Sequence, residues 1–138
     1  MFDYSSLVEE KTGNRIGIMF VKILKSKLHR ATITDTKLHY PGSIAIDSAL
    51  MDAAGILPCE SVLIADLNNG SRLETYVVPA EAGSGQVVIL GAAAHLIKPK
   101  DIVIVLGFAY LTPEEAKEFK PKIVVLGKNN KIKTADRN

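Results

Sequence analysis

Short β-prone runs separated by turn residues constrain the fold of this chain more than any other feature. Seven such runs occupy residues 20–24, 30–34, 61–67, 72–78, 86–90, 101–111 and 122–126. Asn69-Gly70 lies between the third and fourth runs, and this dipeptide is a strong signal for a β-hairpin. The pattern predicts a mainly β protein whose sheet closes on itself or packs in two layers.

Two short helices are predicted between the strands. Asp47 is a suitable N-cap for a helix over residues 48–54, and Gly55 is positioned to end that helix. Residues 112–115 combine a threonine N-cap, a proline at the first helical position and a glutamate at the third. Pro121 then ends the second helix.

Length and composition indicate one domain and exclude several classes of protein. The chain has 138 residues, 47% of them hydrophobic, which suits a domain that buries about two-thirds of its unfolded surface. Its one cysteine excludes an intrachain disulfide, and its scattered net charge of +2 does not indicate nucleic-acid binding. No apolar run approaches the roughly 20 residues of a membrane span, and residues 1–18 lack the pattern of a signal peptide. We therefore expect a cytoplasmic protein with no nucleic-acid or membrane partner.

A Pro-Gly-Ser sequence at residues 41–43 could carry chemistry. Pro41 presets φ for the second position of a tight turn, and Gly42 is expected to accept the positive φ of the third. The Ser43 hydroxyl could then attack the preceding carbonyl and convert the Gly42–Ser43 amide into an ester, provided that the oxyanion is held. Elimination and hydrolysis with loss of ammonia would leave an N-terminal pyruvoyl group. These residues alone also fit an ordinary Pro-Gly turn that ends a hairpin.

Seven motifs, taken in their order and spacing, resemble the aspartate 1-decarboxylase family, small pyruvoyl enzymes that make β-alanine for pantothenate synthesis. The resemblance covers about residues 19–121. Its motifs are KLHR at 27–30, LHYPGSIAID at 38–47, DAAGIL at 52–57, NNGSRLETY at 68–76, AEAGSG at 80–85, GAAAH at 91–95 and DIVIV at 101–105. The resemblance implies a six-stranded double-psi β-barrel with two short helices, a topology that the strand pattern alone does not give.

The resemblance also divides the chain into three segments. Residues 19–127 are expected to form the barrel domain, with self-cleavage between Gly42 and Ser43. Residues 1–18 form an N-terminal extension whose status the sequence leaves open, and residues 128–138 are expected to form a polar flexible tail.

The cofactor and partners of the protein follow from the same resemblance. Ser43 is expected to become a covalent pyruvoyl group, which forms a Schiff base with L-aspartate and accepts the electrons released with CO₂. Neither pyridoxal phosphate nor a metal ion is expected. The family is a homotetramer of cleaved subunits, four α and four β chains, with sites at subunit interfaces. Whether a maturation factor assists the cleavage stays open.

Two neighbouring residues take roles in processing and catalysis from the resemblance. Tyr76 is expected to protonate the carbanion after CO₂ leaves, since a phenol is protonated at neutral pH and can act as a donor. Thr75 is expected to hydrogen-bond near the Gly42 carbonyl during self-cleavage and later to contact substrate. Alternation places the two side chains on opposite faces of a regular strand, so a common site implies a local twist or a site shared between subunits.

Substrate binding is assigned to two cations and to backbone groups. Arg72 is expected to grip a carboxylate through two parallel hydrogen bonds, and Lys27 is the second cation. The remaining residues that the resemblance implicates are Gly91, Ala92 and Ala93, through their main-chain groups, and His29 and Tyr40 as lining of the site.

Two residues depart from the family pattern. Leu90 stands where asparagine is common, and a leucine side chain can neither donate nor accept a hydrogen bond. Ile44 is bulkier than the small residue often found after the serine. These departures leave a second hypothesis open, an uncleaved double-psi barrel that acts as a binding or assembly module and has lost processing. Decarboxylation of another amino acid is a further alternative.

Overall fold

The computed structural model describes residues 17–136, and strands dominate this range. The nine strands are β1 (Val21–Thr32), β2 (Asp35–Lys37), β3 (Ser43–Asp47), β4 (Ser61–Asp66), β5 (Arg72–Ala80), β6 (Val87–Leu90), β7 (Ile102–Leu111), β8 (Lys122–Leu126) and β9 (Ile132–Asp136). The helices are α1 (Ser48–Ala54) and α2 (Pro113–Glu118), with short 3-10 turns at Ala92–His95 and Lys128–Asn130. The mainly β class with two short helices is confirmed, whereas the count of six strands is not.

The strands follow one another in the order β2, β6, β3, β5, β4, β7, β1, β8 and β9. Strand β3 lies between β6, with which it is antiparallel, and β5, with which it is parallel. Ser43, the first residue of β3, pairs with Leu90 of β6, and Ile44 pairs with Val77 of β5. The segment that starts at Ser43 is therefore held on both sides by the sheet.

The predicted local signals at the helices and at the hairpin are confirmed. The Asp47 side chain accepts a hydrogen bond from the Ala49 N–H at 2.8 Å, and Gly55 ends α1 with a φ of 72°. Thr112 and Glu115 form the capping box of α2. Strands β4 and β5 pair antiparallel around the Asn69-Gly70 turn. Short-range hydrogen bonding is sufficient to explain each of these features.

Strand β1 is longer than the sequence pattern predicted. The runs at 20–24 and 30–34 were expected to be separate, but one strand covers Val21–Thr32. The intervening polar residues belong to the strand because its backbone pairs with β7 on one side and β8 on the other. A register shift before Ala31, where Arg30 takes a φ of 65°, marks the place where the predicted break becomes a bulge.

The N-terminal extension and the C-terminal tail were both predicted from the sequence, and the structure describes mainly the tail. The expected extension over residues 1–18 lies almost wholly outside the described residues. At the other end, the expected polar flexible tail over 128–138 contains strand β9, which pairs antiparallel with β8. The polar sequence therefore forms regular structure, since the backbone of β8 supplies hydrogen-bond partners that no local pattern reveals.

The core lies where the inner faces of the strands meet helix α1. Ile44 and Ile46 of β3 are fully buried in it, and burial stabilises each by about 2 kcal/mol. Other fully buried core residues are Leu28, Ile64, Val77, Val87, Ile89, Val103, Val105 and Val124. The core thus fixes the position of the strand that begins with Ser43.

Candidate functional site

A buried serine marks the start of β3. Ser43 is only 5% exposed, although Tyr40, Pro41 and Gly42 immediately before it are exposed. Its Oγ lies 3.5 Å from the Pro41 carbonyl oxygen, a long contact that leaves the hydroxyl beside the turn that precedes it. The Gly42–Ser43 peptide is therefore the point at which the chain passes from an exposed turn into the core.

Gly91 packs directly against this turn. Its φ is 88°, and a Cβ added to it would lie 2.7 Å from the Gly42 Cα and 2.9 Å from the Tyr40 carbonyl oxygen. Gly42 was expected to have a positive φ, and this expectation is wrong, because Gly42 is not among the residues with positive φ. The chain at Gly42 is already entering β3, and the residue that uses the conformational freedom of glycine is Gly91.

A cavity of about 340 Å³ lies beside Gly42. It is lined by Gly42, Leu73, Glu74, Thr75, Leu90, Ala92, Ala93 and Leu96. The structure therefore brings four of the predicted site residues, Gly42, Thr75, Ala92 and Ala93, around one space. The glycine and alanines leave this space open because they have little or no side chain.

Three lining residues were missed by the sequence interpretation: Leu73, Glu74 and Leu96. Leu73 and Glu74 lie within the NNGSRLETY motif, beside residues that were singled out. Their closeness to Thr75 in the sequence was the one signal that could have indicated them. Strand pairing and twist decide which residues of a strand face a cavity, and neither can be seen in the motif. Leu96 follows the GAAAH motif and carries no local signal for this position.

A second cavity, of about 400 Å³, lies next to the first. Tyr40 and Lys37 line it, with the Lys37 Nζ 5.3 Å from the centre of the Tyr40 ring. Leu90 lines both cavities. Tyr40 therefore faces a different space from Thr75, and the leucine at position 90 supplies an apolar wall between the two.

The remaining predicted residues do not line the Gly42 cavity within the described part of the chain. Tyr76 is 41% exposed and pairs with Ser61 of β4, so it faces away from its neighbour Thr75. Arg72 is exposed at the start of β5. Lys27 is half-buried in the middle of β1. One copy of the chain thus brings together Gly42 and Thr75, which were predicted to act in processing, but not the predicted cations and proton donor.

His29 has an unusual environment. Burial lowers the pKa of its imidazole, and the positive charges of Lys27 and Arg30 lower it further. Its Nδ1 atom is buried and has no hydrogen-bond partner. The imidazole is therefore neutral at neutral pH, and its position beside Lys27 and Arg30 makes this part of β1 electropositive.

The other end of β3 is held by Asp47. This carboxylate is 3% exposed and accepts hydrogen bonds from the N–H groups of Ala49 at 2.8 Å, Gly83 at 3.0 Å and Gly85 at 2.9 Å. Burial alone would raise its pKa, but these backbone N–H groups outweigh burial and lower it. Asp47 thus stays ionised and ties α1 and the loop before β6 to the strand that carries Ser43.

Residues 17–136 contain neither a metal-binding cluster nor a membrane-spanning helix. No three His, Cys, Asp or Glu side chains in this range come together to hold a metal ion. Within the same range, no helix has the length and apolar character needed to cross a bilayer.

The fold and this site define a mainly β protein with a buried serine at one internal Gly-Ser peptide, beside a small cavity. The family model described as aspartate decarboxylase matches residues 19–133. The chain therefore belongs to the aspartate decarboxylase family, whose fold is a double-psi β-barrel.

Curated relatives agree with the family assignment. The chain is 54% identical to the aspartate 1-decarboxylase of Porphyromonas gingivalis over 106 residues, which cover 77% of this chain and 90% of that protein. It is 50% identical to the aspartate 1-decarboxylase of Clostridium beijerinckii over 115 residues, 83% of this chain and 93% of that protein. It is 52% identical to the aspartate 1-decarboxylase of Caldicellulosiruptor saccharolyticus over 114 residues, which cover 83% of this chain and 89% of that protein.

Proposed function

We propose that this protein cleaves itself between Gly42 and Ser43 and then decarboxylates L-aspartate to β-alanine and CO₂, a reaction that supplies pantothenate synthesis. One observation carries the proposal: Gly42, bonded to a buried serine, lines the same cavity as Thr75 and the Ala92-Ala93 backbone. Family membership and relatives named aspartate 1-decarboxylase support the substrate.

Self-cleavage requires only atoms of the chain and one water molecule. The Ser43 Oγ attacks the Gly42 carbonyl carbon, the C–N bond breaks, and the hydroxyl proton passes to the released nitrogen. Loss of the Ser43 Cα proton then expels the Gly42 carboxylate and leaves dehydroalanine. Water hydrolyses the imine tautomer, ammonia leaves, and a ketone remains at the new N-terminus. No oxidant or metal is needed to balance these steps.

The surroundings of Ser43 fit such a group. The residue is buried, yet the Gly42 to which it is bonded lines a cavity, so cleavage would leave the new terminus beside that cavity. When formed, the pyruvoyl group supplies an electron sink for decarboxylation, which makes pyridoxal phosphate unnecessary. Ile44 and Ile46 hold the rest of β3 in the core and so limit movement of the new terminus.

Thr75 is the side chain best placed to assist the first step. It lines the cavity together with Gly42, and its hydroxyl can donate a hydrogen bond to an oxyanion formed at the Gly42 carbonyl. Leu90 lines the same cavity but cannot donate. We therefore assign stabilisation of the oxyanion to Thr75, and to Leu90 the exclusion of water from that side.

The residues proposed to bind the substrate carboxylates and to donate a proton lie outside the cavity of a single copy of the chain. Arg72 and Lys27 would bind the two carboxylates of aspartate, and Tyr76 would donate the proton that replaces CO₂. His29 and Tyr40 would line the site. The exposure of Tyr76 and Arg72 supports a site completed by a second copy, in a cytoplasmic homotetramer of four α and four β chains. Light scattering that gives a monomer would contradict this arrangement.

The proposed activity is tested by incubating the purified, aged protein with L-aspartate or with L-glutamate and measuring the amine products and CO₂. We expect β-alanine and CO₂ from aspartate and no product from glutamate, because glutamate carries its second carboxylate one methylene further from the amine than aspartate does. Activity on glutamate alone would replace the substrate assignment. A cleaved chain without activity on either would refute the decarboxylase proposal, and an intact chain would support the binding-module alternative.

A further inference from the structure

Gly91 touches the turn that contains the proposed cleavage site from outside. It is buried, with its own N–H donating to the Lys37 carbonyl oxygen at 2.8 Å. On the other side, a Cβ at this position would lie 2.7 Å from the Gly42 Cα and 3.0 Å from the Gly42 nitrogen. Distances below 3.0 Å leave no room for a carbon atom, and the atoms that a Cβ would meet here belong to backbone, which cannot rotate away.

The turn is tied to the same place at both of its ends. Leu90, the residue before Gly91, pairs with Lys37 of β2 and with Ser43 of β3. Residues 38–42 therefore leave and return to the end of β6. Gly91 lies at the base of this loop, in contact with its last residue.

We infer that Gly91 is a positioning residue for self-cleavage, which holds the Gly42–Ser43 peptide where the serine hydroxyl can attack it. The inference rests on the proposed function. Gly91 is not a catalytic residue, because its N–H is already bonded to Lys37 and is not available to the reacting atoms. Its contribution is the close approach of its backbone, which a side chain would prevent.

The expected effect is large because attack within one peptide depends on geometry. Displacement of a reacting group by about 1 Å can cost roughly 100-fold in rate. An alanine at position 91 has to move Gly42 by several tenths of an ångström at least, since its Cβ would otherwise lie 2.7 Å from the Gly42 Cα. The displaced atoms include the carbonyl that Ser43 has to attack.

Gly91→Ala is tested against Gly70→Ala. Both glycines have a positive φ, of 88° and 76°, so alanine is strained at each. The strain is larger at Gly91, whose ψ of −153° lies in a region that only glycine readily adopts. A Cβ at Gly70 has no atom within 4 Å, whereas at Gly91 it meets the turn. The loss of stability measured for each variant accounts for the backbone strain, and the remaining difference in cleavage rate reports the contact with the turn.

Each variant is refolded from urea, and the decay of intact chain is followed by mass spectrometry, with hydroxylamine added to parallel samples to cleave any ester. Stability is measured separately for each change in a Ser43→Ala background. We expect Gly91→Ala to slow cleavage and ester formation by roughly 100-fold. Gly70→Ala should stay within about threefold of the parent, because its strain does not reach the turn. Equal rates for the two variants would overturn the inference.

A second variant keeps the inference testable if Gly91→Ala does not fold. Inserting one glycine after the exposed Leu38 lengthens the turn without touching Gly91, and exposed loops tolerate such insertions. We expect a folded protein whose cleavage is slowed by roughly tenfold or more, since the turn is no longer held at its native length. An unchanged rate would contradict the positioning role. If the parent chain itself stays intact, the proposed function fails first and the inference fails with it.

Discussion

Two of the three Gly-Ser pairs of this protein, at residues 42–43 and 70–71, lie in turns that are built differently. Gly70 and Ser71 belong to the exposed hairpin between β4 and β5, where the Ser71 N–H donates to the Asn69 Oδ1 at 2.8 Å and the Gly70 N–H donates to the Asp66 carbonyl. Ser43, by contrast, is buried, and Gly42 is held by Gly91 from a different part of the chain. The first turn is closed by hydrogen bonds among its own residues, although Asn68 and Asn69 also bond to Ile102 and Leu96. The second is held by close contact with a distant segment.

The difference shows why one pair is a candidate for chemistry and the other is not. A turn satisfied by local hydrogen bonds is relaxed and surrounded by water, which competes for any oxyanion that forms. A turn pressed against a second element, with its serine buried and Thr75 lining the same cavity as Gly42, has less freedom to move, which would favour attack within one peptide. Because the dipeptide is the same, we expect its surroundings to decide whether it reacts.

Replacing each of the two serines separately is the change with the largest expected difference between the two turns. Ser43→Ala eliminates the nucleophile, so we expect complete loss of cleavage and of β-alanine formation, measured by intact mass and by product analysis. Ser71→Ala is the control, and it should cleave and react like the parent. Cleavage that persists in Ser43→Ala, or stops in Ser71→Ala, would reverse the roles of the two turns.

Thr75→Val tests what the cavity adds to the first step. Valine keeps the shape of the side chain but removes the hydroxyl, so the Gly42 oxyanion would lose its donor. We expect cleavage to slow by about 100-fold, the typical cost of removing one oxyanion donor. The rate is followed by mass spectrometry after refolding, with Thr36→Val of strand β2 as the control. A parent-like rate for Thr75→Val would assign oxyanion stabilisation to another group.

Asp47→Asn tests the support of the far end of β3. The substitution replaces one acceptor oxygen by an NH₂ donor, which would face one of the N–H groups of Ala49, Gly83 or Gly85. We therefore expect a loss of about 2 kcal/mol in the free energy of unfolding. The change is measured by urea denaturation in the Ser43→Ala background. An unchanged midpoint would mean that the three hydrogen bonds do not stabilise the strand.

The same carboxylate predicts how stability depends on pH. The folded-state pKa of Asp47 is lowered, so its contribution is complete above the unfolded pKa of about 3.9 and is lost as pH falls through the folded value. Stability measured from pH 6 downward should therefore fall less steeply in Asp47→Asn than in its parent. Parallel curves would exclude Asp47 as a source of acid sensitivity.

Asp66→Asn has the smallest expected effect and concerns the hairpin turn. Burial raises the pKa of Asp66, which is 2% exposed, and the neighbouring Asp101 carboxylate raises it further. Its favourable contribution is thus complete below the unfolded pKa and is lost as pH rises through the folded value. Asparagine stays neutral and can still accept from the Asn68 N–H, so we expect a gain of about 1 kcal/mol or less at pH 7. A loss of stability at pH 7 would contradict this.

Sequence signals predicted the features that local hydrogen bonds create. The caps at Asp47 and Thr112 and the Asn69-Gly70 hairpin required no knowledge of distant residues. Strands β2, β3 and β9 were missed because each is defined by partners elsewhere in the chain. Pairing across the sheet, and not β-propensity, makes them strands.

The candidate site was predictable only in part, because the motifs are local but the contacts that assemble the site are between distant segments. Gly42, Thr75, Ala92 and Ala93 could be singled out by motif, and the structure places them around one cavity. The positive φ was predicted at Gly42 because a Pro-Gly pair favours it locally. It occurs at Gly91, where the contact that leaves no room for a Cβ is between distant segments. The roles of Arg72, Lys27 and Tyr76 stay predictions.

The most direct test of the central claim is denaturing mass spectrometry of the purified chain after incubation, with and without a hydrazide that reacts with ketones. The account predicts two fragments, residues 1–42 and 43–138, of which the larger begins with a pyruvoyl group and gains the mass of one hydrazide. A single 14.9 kDa chain that does not react, or cleavage before Ser71 instead of Ser43, would contradict it.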